Sequence, residues 1–127
     1  MKVSPELILP SQDFLKPRTV TFILECFVKG QLDELPPHPI VRKDDAGNLI
    51  AIDGHNLIAV KLKRGEDIEV HLATSPDDGL EPTSEANIQR NKDLKEKYES
   101  VIAEAKALQA KGIHSFNDLI GRYPELF

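Results

Sequence analysis

The stretch from Asn48 to Arg64 restricts what this chain can fold into more than any other. It reads Asn-Leu-Ile-Ala-Ile-Asp-Gly-His-Asn-Leu-Ile-Ala-Val-Lys-Leu-Lys-Arg. Leu49 to Ile52 is an apolar run of strand length, opened by the turn residues Gly47 and Asn48. Asp53-Gly54 interrupts it and a helical pattern follows. Leu57, Ile58 and Leu62 share one face, Lys61, Lys63 and Arg64 fall on the others, and Gly65 stands where a left-handed helix end favours glycine. A strand that turns sharply into a helix leaves backbone N–H groups unpaired with a partial positive charge behind them, which suits an anion. His55 and Asn56 would sit on the first turn, facing such a ligand, and Asp53 would cap the helix.

On both sides of this unit the chain reads as a mixture of strands and helices. Glu6 to Leu9 reads as a first strand stopped by Pro10, and Pro17 fits the first position of a helix whose buried residues are Val20, Ile23, Leu24 and Phe27. Phe22 and Cys26 widen that apolar arc, and Gly30 ends the helix. Leu32 to Pro39 holds three prolines and reads as a rigid loop or one short helical turn. Ile40 to Lys43 and Leu49 to Ile52 flank the hairpin residues Asp44 to Asn48. Asp67 to Leu72 alternates as a half-buried strand, with Ile68, Val70 and Leu72 inward and His71 on the polar side.

Ala73 to Thr83 breaks all periodicity and reads as an acidic linker. From Ser84 a long helix runs to about Lys111, with the apolar stripe Leu94, Tyr98, Val101, Ile102, Ala105 and Leu108 and a closing Gly112. Ser115 opens a last short helix. The expected architecture is α+β: a small mixed sheet with packed helices over residues 1–73, a linker over 74–83, and a C-terminal helical extension over 84–127 packed on the same domain. So long a stripe also makes a homo-oligomer through the C-terminal helix a reasonable expectation.

Composition narrows the classes of function. The 127 residues suffice for one domain with a core of its own. No apolar run approaches membrane-spanning length, and a lone Cys26 forms no internal disulfide, so a cytoplasmic protein is expected. The net charge of −5 and the lack of a basic stripe argue against autonomous DNA binding. The four histidines, His38, His55, His71 and His114, show no metal-ligand spacing, so no structural zinc is expected.

Ile8-Leu9-Pro10, then Pro17-Arg18, then Pro37-His38-Pro39-Ile40-Val41, then Leu49 to Asn56, then Gly65 and a closing strand follow one another in an order that resembles the ParB/sulfiredoxin superfamily. The resemblance covers roughly residues 5 to 73. It implies a compact α+β fold whose strand-to-helix turn binds a nucleotide, with magnesium, or another phosphate ligand, and it implies a regulatory or DNA-associated role. At the turn, Asp53-Gly54-His55 matches the Asp-Gly-His-His-Arg of the serine-kinase-like branch, while Asn56 and Leu57 replace its His and Arg. The arginines that ParB proteins carry here are absent, and so is the cysteine of sulfiredoxins.

The ligand-binding set implied by motif and resemblance together is Asp53, Gly54, His55 and Asn56, with Arg18 as a replacement cation. Asp53, His55 and, by analogy with a helix glutamate in the kinase branch, Glu25 are the catalytic candidates. Asp53 would take a proton or position magnesium through water. Three readings stand together: a phosphate- or nucleotide-binding domain, a phosphotransferase-like enzyme, and a scaffold that has kept the fold without a ligand.

Overall fold

The computed structural model describes residues 1–78 and 85–127. In chain order the elements are β1 (Lys2–Val3), a 3-10 turn (Pro5–Leu7), β2 (Ile8–Leu9), α1 (Pro17–Lys29), a second 3-10 turn (Leu32–Glu34), β3 (Ile40–Lys43), β4 (Leu49–Asp53), α2 (His55–Arg64), β5 (Ile68–Glu69), β6 (His71–Leu72), α3 (Glu85–Ala110) and α4 (Phe116–Ile120). The protein is a small mixed α+β structure.

β4 is the centre of a four-stranded sheet of order β2-β4-β3-β6. It runs parallel to β2 and antiparallel to β3, and β6 adds parallel to β3. Its unbroken apolar sequence is explained by burial on both faces. Leu49 and Ala51 enter one core with Ile8, Val41, Ile58, Phe116 and Leu119. Ile50 and Ile52 enter a second core with Ile40, Leu94, Val101 and Ala105. Helices α1, α2 and α4, with Leu108 near the end of α3, therefore contribute to the core on one side of the sheet, and Leu94, Val101 and Ala105 of α3 to that on the other. The hairpin between β3 and β4 closes as its residues require: the Asp44 carboxylate accepts from the backbone N–H of Ala46 (2.9 Å) and Asn48 (2.8 Å), with Gly47 at φ 85°.

The sequence reading needs correction in three places. The expected strand Glu6–Leu9 is shorter, because Pro5 starts a 3-10 turn capped by Ser4 and leaves only Ile8–Leu9 to pair. The expected strand Asp67–Leu72 keeps its alternation but is divided at Val70. β5 pairs antiparallel with β1 in a separate two-stranded sheet, and β6 joins the main sheet. Helix α1 is less deeply buried than its apolar arc predicts, with Phe22 44% and Val28 86% exposed.

The stripe of α3 lies on the protein's own sheet, as expected of an extension packed on the same domain: Val101 is fully buried and Ala105 nearly so, beside Ile40, Ile50 and Ile52. Ser84, its expected cap, lies outside the described residues, as does the second half of the expected linker, residues 79–83. No helix among the described residues is long and apolar enough to cross a membrane.

Candidate functional site

The turn from β4 into α2 is as sharp as the sequence predicts. Gly54 adopts φ 90°, ψ 22° in the left-handed region and stands as the N-cap of α2, with no side chain among the described residues bonded to the first-turn amides. Its carbonyl accepts from the Ile58 N–H at 3.1 Å. A Cβ at Gly54 would lie 2.7 Å from Cβ and 2.8 Å from Cα of Pro39. Glycine is therefore required twice, by the backbone sign and by contact with Pro39. On this side the Gly54 α-carbon is covered by Pro39.

Asp53 does not cap the helix. It is the last residue of β4, and its carboxylate pairs with the Arg90 guanidinium of α3 at 3.0 Å, with both side chains about one-third exposed. Arg90 is a cation that sequence reasoning passed over: it lies 37 residues along the chain, and its local helix pattern gives no signal of the contact.

His55 overturns its expected placement most completely. It is 3% exposed, turned into the core rather than toward a ligand. The Ser11 backbone N–H donates to its Nε2 at 3.0 Å, so the neutral ring carries its proton on Nδ1. The Ser11 hydroxyl donates to the Ala51 carbonyl at 2.6 Å, and the Phe116 ring lies tilted over His55 with centroids 5.5 Å apart. Burial, helped by the positive charge of Lys97, pushes the imidazole down to about 3. An imidazole held neutral with its lone pair engaged is a structural acceptor.

Asn56 is likewise engaged: its Oδ1 accepts from the Lys16 N–H at 2.8 Å. With the Leu15 N–H donating to the Tyr123 hydroxyl at 3.0 Å, three backbone donors of the connection between β2 and α1 are met by side chains from α2 and the C-terminus. That connection brings Lys16 and Thr19 beside the turn.

The result is a cleft of about 260 Å³ lined by Lys16, Thr19, Pro36, Pro37, Asp53, Gly54, Asn56 and Arg90, with Ile23 and Leu57 at its base. It unites Asp53, Gly54 and Asn56 of the expected set. Arg18 is exposed and borders a neighbouring surface depression with Leu15, Pro17, Lys16 and Thr19. Glu25 is exposed on α1 and does not line the cleft. The lysine that does reach it, Lys16, stands just before Pro17, where the backbone is extended at φ −92°, ψ 108°.

Comparison of the chain with protein-family models, with curated proteins and with solved structures finds no match.

Proposed function

We propose that this protein is a binding module for a small phosphate-bearing ligand, a nucleotide or a simpler phosphate ester, held over the first turn of α2. One observation carries the reading: a helix start without a side-chain cap opens into the same cleft as Lys16 and Arg90. Unpaired amides at a helix start and adjacent cations both favour an anion. The resemblance to the ParB/sulfiredoxin superfamily points to the same turn and supports the reading. It also carries the regulatory or DNA-associated role, although the net charge of −5 counts against autonomous DNA binding.

The phosphotransferase alternative is less well supported, because it lacks a proton acceptor. His55 is buried with its lone pair engaged, Asp53 is paired with Arg90, and Glu25 lies off the cleft. Asp53 is the only acid among the described cleft residues, and one carboxylate paired with arginine does not make a dedicated magnesium site. Any magnesium would arrive with a nucleotide.

A scaffold without a ligand is the second reading, favoured by the Asp53–Arg90 pair, which offsets charge inside the cleft. Titration calorimetry with inorganic phosphate, ATP and CTP separates them, using wild type, Lys16→Ala and Arg90→Ala. Binding in the millimolar range that weakens in both variants is expected. Absence of heat and of thermal stabilisation at millimolar ligand would establish the scaffold reading.

A further inference from the structure

A second hollow adjoins the cleft at the turn. Pro36, Pro37 and Leu57, which line the cleft, also line this second cavity of about 380 Å³, completed by Leu32, Leu35, His38, Lys61, Ile68 and Glu69. The two hollows share this wall, and together they fall in the size range of small-molecule sites.

Their chemistry differs. The first brings two cations and uncapped amides. In the second, leucines, prolines and Ile68 supply most of the lining, and Lys61 is already bonded to Glu66 at 3.1 Å. The Pro36-Pro37 pair fixes the wall between them, because proline holds its own φ and restricts the residue before it. Leu32, at 56% exposed, stands at this cavity as a large apolar side chain left in contact with water.

We infer that the ligand is an organic phosphate monoester with an apolar body: its phosphate lies over the first turn of α2, and its alkyl or aryl group occupies the cavity of Leu32, Leu35, Pro36 and Pro37. This rests on the anion reading of the cleft and deepens it. Inorganic phosphate fills only the polar half. Each methylene buried in the second half adds favourable transfer energy, so an ester with several carbons should bind at least ~10-fold more tightly than phosphate alone.

The test is calorimetry with inorganic phosphate, hexyl phosphate, phenyl phosphate and hexanol, on wild type, Leu32→Ser and Leu35→Ser. Leu32 is exposed enough for its substitution to leave folding intact, and circular dichroism checks both variants. One or both esters should bind ~10-fold or more tightly than phosphate. Both serine variants should lose most of that gain while binding phosphate as before, and hexanol should bind weakly or not at all. The better of the two esters tells whether the body is a chain or a ring.

Phosphate binding with no gain from either ester overturns this inference and leaves the anion reading standing. A gain that neither leucine substitution reduces places the body elsewhere and also overturns it. If no phosphate species binds, the anion reading fails and this inference falls with it.

Discussion

Acid should destabilise this protein through His55 well above the pH at which carboxylates titrate. In the folded chain the ring is held near 3 by burial and by Lys97, whereas an unfolded imidazole titrates at its ordinary 6.5. Below 6.5 the unfolded chain therefore binds a proton that the folded chain refuses. The stability present above 6.5 is lost progressively as pH falls, until about 3. Each pH unit inside that window costs about 1.4 kcal/mol, so pH 5 costs about 2 kcal/mol relative to neutrality. The geometry gives the cause: a proton on Nε2 would face the Ser11 N–H at 3.0 Å, donor against donor, in a site lined by Phe116. Urea unfolding of wild type and His55→Gln at pH 7, 6 and 5 measures the effect. Glutamine offers a neutral oxygen to Ser11, and every other titrating group is common to both proteins. The wild type should lose about 2 kcal/mol more than the variant between pH 7 and 5. Parallel pH dependences, or an imidazole that titrates near 6.5 by NMR, would refute the reasoning.

Gly54→Ala should cost about 2–4 kcal/mol in urea unfolding, since it combines a positive φ with a Cβ thrust against Pro39; a loss below about 1 kcal/mol would contradict the requirement for glycine. Val101→Asp should unfold the protein, because the side chain is fully buried against the sheet. A variant that stays folded and differs only in light scattering would return α3 to the role of an interface. Asp53→Asn should tighten phosphate binding about 2–5-fold by removing the carboxylate that competes for Arg90 in a partly exposed pair. Unchanged affinity would mean that Arg90 does not meet the ligand.

What could be read from the sequence was what depends on near neighbours. The strand of Leu49, the helix from His55 to Arg64, the hairpin at Asp44 to Asn48 and the left-handed glycine at 65 each follow from a run of a few residues. The site was legible only as a turn. His55 reads as an exposed first-turn residue until Phe116 and Ser11, from the two ends of the chain, close over it. A histidine beside a turn gives no local sign of which way it will face. Arg90 was missed for the same reason, since its partner Asp53 is distant in sequence and its neighbours describe only a solvated helix. The division of the strand at Val70 had no signal in its alternation, because both halves keep the same inward face while pairing with different sheets.

The proposed anion would sit on the amides that open α2. Titrating the isotopically labelled protein with inorganic phosphate, followed through backbone and arginine N–H resonances, tests it most directly. Saturable shifts concentrated at His55, Asn56 and Leu57, with the Arg90 side chain, are predicted, and Lys16→Ala should weaken them. Resonances that stay still there, or that move only at sites away from the turn, would contradict the account.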